Sequence, residues 1–318
     1  MTRVLVTGAT GFIGRHAIES LCVADSDVHA VSRNQRRSVH GEQWHTADLL
    51  DVTSRQELLQ HVRPERLLHL AWTVEHGRFW HDPVNLEWVD ATCALAEEFA
   101  AVGGHRLVAA GTCAEYDWSA MGEQPCQEFE TPCRPNTLYG TAKHRLRVRL
   151  DTFARRRNLS FAWGRLFHLF GPDEHRDRLV PSLVTALLEG RMAATGPGTV
   201  TRDFMDVRDA AAAFAALLLS DVEGPVNVAS GTPTTIAGLA ETLADSIGRK
   251  ELLSVGSLPA REGDPPFLCA DVKRLRREVK FHPPQTQRAA LEDTLHWWRR
   301  RIASAGERAA APPLTGPR

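Results

Sequence analysis

Long apolar runs are missing from this chain of 318 residues. The longest, Ala210 to Leu219, has ten residues, against the ~20 that a bilayer-spanning helix needs. At the N-terminus, Met1-Thr-Arg-Val-Leu-Val-Thr-Gly8 reaches glycine before the apolar core of a signal peptide can form. Paired-cysteine spacing is missing too. Cys22, Cys93, Cys113, Cys126, Cys133 and Cys269 contain no CxxC and follow no regular interval. That pattern predicts reduced thiols, no metal site and a cytoplasmic location. An excess of one charge is also absent: 38 Lys+Arg face 39 Asp+Glu, a formal net of −1. A nucleic-acid-binding domain is usually net basic, so nucleic acid is excluded along with the membrane. The balance still leaves room for a small anion held by a few clustered arginines. No internal repeat is present.

Hydrophobic residues at 43% and charged residues at 24% describe an ordinary globular chain. At ~150 residues per domain, the length fits two domains or one large α/β unit. Arg3 to Thr7 reads as a strand, and Gly-rich turn chemistry then leads into a helix from about Phe12 to Val23. Further strands are expected at Val28–Val31, Arg66–Ala71, His105–Ala110 and Ser160–Phe167, with helices at Glu57–Val62, about Pro83–Val102 and 138–157. Such alternation implies βαβ units: a Rossmann-type α/β fold with a doubly wound parallel sheet. After Gly171-Pro172 the texture turns to loops, short helices and proline-rich stretches, except for a helix at Val207–Leu219 and a strand at Pro225–Ala229. The expected organisation is a dinucleotide-binding domain over 1–165, with about 201–230 returning to it. A smaller C-terminal α/β substrate domain follows over 166–302, and 303–318 forms a frayed tail. The arginine triplets at 155–157 and 299–301 are expected as solvated helix ends.

Gly8-Ala-Thr-Gly11-Phe-Ile-Gly14 stands between the first strand and the first helix. Gly8 permits a tight turn, Gly11 a close approach of backbone to pyrophosphate, and Gly14 close helix–strand packing, with the helix N-terminus facing the phosphates. The spacing is GxxGxxG rather than GxGxxG. At the end of the second strand, an acid would bond a ribose 2′-hydroxyl and repel a 2′-phosphate. This chain has Ser32-Arg33-Asn34 there. Arg33 can hold a 2′-phosphate bidentately, which favours NADP(H) and leaves NAD(H) as the alternative; a solvated surface charge is the bland reading. Asp48-Leu49 suits recognition of the adenine amino group.

Tyr139-Gly-Thr-Ala-Lys143 places a phenol and an ammonium one helical turn apart on one face. An ammonium ~4 Å away at an effective dielectric of ~20 contributes about 4 kcal/mol, enough to bring a phenol of pKa about 10 near neutrality. With Gly111-Thr112-Cys-Ala-Glu-Tyr116, the set resembles the extended short-chain dehydrogenase/reductase family, in its nucleotide-sugar epimerase/dehydratase/reductase branch. Arg165-Leu-Phe-His-Leu-Phe-Gly171-Pro172, Arg202-Asp-Phe-Met-Asp-Val-Arg-Asp209 and Arg261-Glu-Gly-Asp264-Pro265 look like that branch's later motifs.

The resemblance implies that Thr112 bonds the reacting sugar oxygen, Tyr139 is the acid/base, and Lys143 also binds the nicotinamide ribose. It implies cofactor contacts from Gly8, Gly11, Phe12, Ile13, Gly14, Ser32, Arg33, Asn34, Asp48, Leu49, Leu70 and Ala71. Substrate contacts are implied for Thr112, Cys113, Ala114, His168, Arg178, Arg202 and Arg261, and a homodimer for the helices around 85–102 and 138–157. Structural roles compete at three kinds of position: packing for Cys113, a hydrogen-bonded core role for His168, and salt bridges for the arginines. Dehydratases of the branch carry an acid two positions after the threonine, where this chain has Ala114; Glu115 comes one residue late. A 3,5-epimerase/reductase would place its cysteine two positions after the threonine, whereas Cys113 follows directly. The expected activity is NADPH-dependent reduction of a nucleotide-linked 4-keto-6-deoxyhexose. A nucleotide-sugar 4-epimerase is the alternative, with a 3,5-epimerase/reductase or a non-catalytic dinucleotide sensor behind it. Arg33, Arg202 and Arg261 are expected to converge with the helix end after Gly11 on phosphate-bearing ligands.

Overall fold

The computed structural model describes residues 1–120, 122–260 and 263–310. The chain divides into two compact units, Met1–Leu169 with Val200–Thr234 and Glu262–Pro284, and Phe170–Thr199 with Thr235–Arg261 and Gln285–Arg318. Residues 263–284, expected in the substrate domain, therefore belong to the first unit.

In chain order the elements begin β1 (Arg3–Thr7), α1 (Gly14–Val23), β2 (Asp27–Ser32), β3 (Gln43–Thr46), α2 (Val52–Val62), β4 (Arg66–His69) and α3 (Val84–Ala101). There follow β5 (Arg106–Thr112), α4 (Leu138–Arg157), β6 (Ser160–Leu166), β7 (His168–Phe170), α5 (Leu179–Leu188) and β8 (Ala193–Ala194). Next come β9 (Thr201–Asp206), α6 (Val207–Leu219), β10 (Gly224–Val228), β11 (Pro233–Thr235) and α7 (Ile236–Ile247). The last are β12 (Leu253–Ser254), β13 (Phe267–Leu268), α8 (Lys273–Arg277) and α9 (Gln287–Ala310).

The first unit is built on a seven-stranded sheet of order β10-β6-β5-β4-β1-β2-β3, parallel throughout. Strand alternation sorts its residues onto two faces. Val4, Val6, Leu68 and Val108 join a core with Ala17, Leu21, Ala210 and Phe214 of α1 and α6. Leu5, Leu67, Leu107 and Trp163 join the other, with Leu59, Leu95, Phe99 and Leu146 of α2, α3 and α4. The strand order reverses between β1 and β4, the position where open α/β sheets leave a crevice at the strand C-termini. In the second unit, α5, α7 and α9 pack on one another and β8 pairs in parallel with β12.

Several boundaries differ from the sequence-based expectation for local reasons. The first helix starts at Gly14, because Phe12 and Ile13 belong to the turn. The second starts at Val52, where Asp51 caps it by accepting the Ser54 N–H at 2.7 Å. The strand expected over Arg66–Ala71 stops at His69, and β3 has no counterpart among the expected strands. Arg299–Arg301 lie inside α9 rather than at a helix end, and the helix carries residues 303–310 of the expected tail; 311–318 lie outside the described residues. Arg155–Arg157 do form the last turn of α4, closed by Asn158 at φ 53°.

Candidate active site

The glycine turn sits at the C-terminus of β1, directly beside the end of β4. Gly8 has φ +66°, and a Cβ there would lie 2.6 Å from the Ala71 nitrogen and the Leu70 carbonyl carbon. A Cβ on Gly14 would collide with the Gly8 carbonyl oxygen. The Gly11 N–H donates to that same oxygen at 2.9 Å. Glycine at these positions therefore brings the α1 N-terminus onto the strand ends with no side chain between. Ile13 offers no side-chain cap and the first turn of α1 carries no acid, which leaves its positive end uncompensated by carboxylate. A dinucleotide pyrophosphate fits such a cradle. Leu70 is half-buried and Ala71 buried.

Thr112 ends β5 and caps a short turn over Cys113–Glu115. Its Oγ1 accepts the Ala114 N–H at 3.2 Å, while Glu115 Oε1 accepts the Thr112 N–H at 2.9 Å, a capping box closed in both directions. The Glu115 carboxylate is fully buried. Oε1 also accepts the Trp163 indole N–H at 2.8 Å, and Oε2 accepts Arg165 Nε–H at 3.2 Å. Arg165 in turn donates to the Tyr116 hydroxyl at 3.1 Å and the Glu128 carbonyl at 3.0 Å. Tyr116 donates to Asn227 Oδ1 at 2.7 Å. Glu115 is thus an internal anchor that fixes the Thr112 backbone and neutralises a buried guanidinium. Ala114 and Cys113 are buried, and burial pushes the Cys113 thiol up to about 12, so it is protonated at neutral pH and sits in the apolar core.

Tyr139 and Lys143 lie in the first two turns of α4, capped by Thr137, whose Oγ1 accepts the Gly140 N–H at 3.1 Å. A Cβ on Gly140 would strike the Ala114 carbonyl oxygen. Glycine there seats the helix start directly on the Thr112–Ala114 turn. Tyr139 is half-buried, its ring edge-on to Phe79 (4.9 Å, 88°) and Trp80 (5.8 Å, 89°). Lys143 is buried and donates to the Ala110 carbonyl of β5 at 3.0 Å. Its ammonium lies 3.6 Å from the centroid of the Trp72 ring, a cation–π contact. Burial lowers the Lys143 ammonium to about 7, opposed by the Glu115 carboxylate. His69, behind it on β4, is also buried. Its ring nitrogens meet Thr7 Oγ1 at 2.9 Å and Thr92 Oγ1 at 3.1 Å, and burial holds the imidazole down at about 3.

The other sequence-predicted residues are spread more widely. Ser32 Oγ accepts the Asn34 N–H at 3.2 Å, turning the chain so that Arg33 and Asn34 are exposed at the end of β2. Exposed Asp48 accepts the Leu50 N–H at 3.0 Å, and Leu49 is buried. His168 on β7 stacks obliquely on Phe204, 5.7 Å between centroids. Arg202 on β9 is buried and paired with Asp264 at 2.6 Å. The Asp264 carboxylate thus balances the Arg202 guanidinium. Arg178, in the second unit, bonds Glu174 at 3.4 Å; burial raises that carboxyl to about 8. Arg261 lies outside the described residues. Two residues escaped the sequence pattern: Trp72, whose only signal is an indole immediately after Ala71, and Glu115, whose partner Arg165 lies fifty positions away. Among the described residues there is no His/Cys/Asp/Glu group suited to a metal and no helix long and apolar enough to cross a membrane. All six cysteines are free thiols.

Comparison with known proteins agrees with this geometry. Residues 4–229 match the NAD dependent epimerase/dehydratase family. A dTDP-6-deoxy-L-talose 4-dehydrogenase (NAD(+)) of Aggregatibacter actinomycetemcomitans is 25% identical over 268 residues, covering 82% of this chain and 96% of the relative. A UDP-glucose 4-epimerase of Rhizobium meliloti is 26% identical over 328 residues, covering 94% and 97%. The structure of MoeE5 in complex with UDP-glucuronic acid and NAD superposes with a TM-score of 0.80 at 26% identity, covering 94% of this chain and 99% of that one. This chain belongs to the NAD dependent epimerase/dehydratase family and is an enzyme of the extended short-chain dehydrogenase/reductase type.

Proposed function

We propose that this enzyme reduces the 4-keto group of a nucleotide-linked 4-keto-6-deoxyhexose with NADPH, in the synthesis of a deoxysugar. The observation that carries the reading is the exposed Arg33 at the end of β2, where a carboxylate would disfavour a 2′-phosphate. An enzyme that draws fresh reductant each turnover suits NADPH. Glu115 supports the reading from the other side. Locked on Arg165, Trp163 and the Thr112 backbone, it is not available as the acid that would expel a hydroxyl as water.

In this reading Gly8, Gly11, Phe12, Ile13 and Gly14 hold the pyrophosphate, Ser32, Arg33 and Asn34 the 2′-phosphate, and Asp48 and Leu49 the adenine. Leu70 and Ala71 line the cofactor, and Lys143 holds the nicotinamide ribose. The nicotinamide supplies the hydride when bound. Thr112 donates a hydrogen bond to the reacting oxygen, and Tyr139 delivers the proton that neutralises the developing alkoxide. Lys143, when charged, favours the ionised phenol that Tyr139 becomes. Cys113, Ala114 and His168 line the sugar. Arg178, Arg202 and Arg261 serve the diphosphate, and α3 and α4, which expose Leu86 and Val148, form a homodimer face.

The second reading, a nucleotide-sugar 4-epimerase using NAD, is favoured by the name of the Rhizobium relative. Incubation with nucleotide-linked 4-keto-6-deoxyhexoses and NADPH or NADH, followed by absorbance and product NMR, separates the two. Stoichiometric NADPH oxidation is expected, with Arg33→Asp shifting preference toward NADH by about 100-fold, the scale of a charge-assisted bidentate contact. Interconversion of 4-hydroxy sugars without net oxidation overturns the reductase reading.

A further inference from the structure

We infer that Asn85 is a positioning residue that fixes Lys143 and Tyr139 relative to one another, by holding Trp72 over the lysine and the 79–82 turn against the tyrosine. Asn85 lies in the first turn of α3 and is completely buried. Its Oδ1 accepts the Trp72 indole N–H at 2.8 Å. Its Nδ2 donates to the carbonyls of Phe79 at 2.7 Å and Asp82 at 2.8 Å. One amide thus uses both of its N–H groups and its oxygen on two separate segments.

Each segment ends on one member of the pair. Trp72, oriented by Asn85, lies with its ring face 3.6 Å from the Lys143 ammonium. The turn closed by Asn85 sets the Phe79 ring edge-on to Tyr139 at 4.9 Å, and the Trp80 carbonyl accepts the Tyr139 N–H at 3.1 Å. Asp82 Oδ1 accepts the Val84 N–H at 3.0 Å, tying the same turn to the start of α3. A side chain of any other shape leaves buried donors and acceptors unpaired on both arms.

The consequence is electrostatic. Burial works against the ammonium charge, and the titratable groups that act on it from the neighbouring elements are Glu115 after β5 and neutral His69 on β4. The π face of Trp72 favours the charged form. With the indole lost or turned, the lysine gives up its proton at lower pH, and the phenol loses the neighbouring charge that favours its ionisation. The catalytic meaning of this coupling rests on the proposed reductase reading; the coupling itself does not.

The chain has four lysines, 143, 250, 273 and 280, and two tyrosines, 116 and 139, so both titrations can be followed by site. Lysine carrying 13C at Cε is read by NMR, and tyrosinate by its near-ultraviolet absorbance, in wild type, Trp72→Leu, Trp72→Phe and Asn85→Leu. The expected result is a Lys143 midpoint lower by about one pH unit in Trp72→Leu, the scale of a partly desolvated cation–π contact, and by less in Trp72→Phe. Asn85→Leu should lower it too, raise the Tyr139 midpoint, and move the pH dependence of kcat to the alkaline side more than it moves KM. Should Asn85→Leu fail to fold, the two Trp72 variants decide the question. Lys143 and Tyr139 midpoints equal to wild type in the folded variants overturn the inference. A wild-type enzyme inactive on every nucleotide sugar would refute the reductase reading, and the titrations would still test the role of Asn85 separately.

Discussion

Replacing Lys143 with methionine should make the folded protein more stable at neutral and acidic pH while abolishing turnover. The folded ammonium titrates at about 7 against 10.5 for the unfolded group. Between those values the unfolded chain binds more protons, so stability rises with pH across the window; below about 7 the full penalty applies. At about 1.4 kcal/mol per pH unit, the gap amounts to about 5 kcal/mol. Two contacts offset it: the bond to the Ala110 carbonyl, about 2 kcal/mol for a charged donor, and the Trp72 ring, about 1–2 kcal/mol. The net gain expected for Lys143→Met at pH 6 is therefore about 1–2 kcal/mol, a rise of a few degrees in Tm. By pH 10.5 the gain should have reversed in favour of wild type, because lysine is then neutral in the folded state and half neutral in the unfolded one, and most of the ~5 kcal/mol penalty is relieved. Thermal and urea unfolding at pH 6, 8 and 10 test this. A variant less stable than wild type by the same margin at every pH would mean that the ammonium is not held against a desolvation penalty.

Three further outcomes follow from the same contacts. Glu115→Gln leaves the Arg165 guanidinium buried without its carboxylate and should cost about 3–5 kcal/mol in urea denaturation, with the Thr112 turn loosened. Gly140→Ala gains about 1 kcal/mol of helix propensity but drives a Cβ into the Ala114 carbonyl. It should lower kcat by about 100-fold through misplacement of the Thr112 turn, with cofactor affinity little changed by titration calorimetry. His69 titrates at about 3 folded against 6.5 unfolded, so stability falls as pH drops through that window. Wild type should lose about 2 kcal/mol between pH 7 and pH 5 from this group, and denaturation of His69→Leu should show a flatter acid limb.

What the sequence made legible was local chemistry in a fixed order. The glycine turn after a Val-rich strand, Thr112 at a strand end and Tyr139/Lys143 one turn apart all depend on neighbours a few residues away, and each appears in the structure on the expected element. The illegible parts depend on distant partners or weak patterns. β3 is four residues, Gln43–Thr46, at the sheet edge with no buried face, so it shows no apolar alternation. Glu115 looked like a displaced catalytic acid because its partner, Arg165, comes from β6. Residues 263–284 read as substrate domain from their prolines, yet β13 pairs with β9 and Ala270 bridges Cys126, drawing the segment into the first unit. Asn85 carries no motif at all; its three bonds exist only once β4 and α3 are packed together.

The proposed role of Tyr139, an acid/base phenol under the influence of Lys143, is read out by tyrosinate absorbance as a function of pH. Tyr116 is buried, donates to Asn227 and is pushed above the ordinary phenol range by burial, so ionisation below pH 9 can only come from Tyr139. Tyrosinate absorbance appearing below pH 10 in wild type, where Lys143 is still partly charged, is predicted, shifted to the alkaline side in Lys143→Met and absent in Tyr139→Phe. A midpoint near 10 that Lys143→Met leaves in place would mean that the ammonium does not act on the phenol.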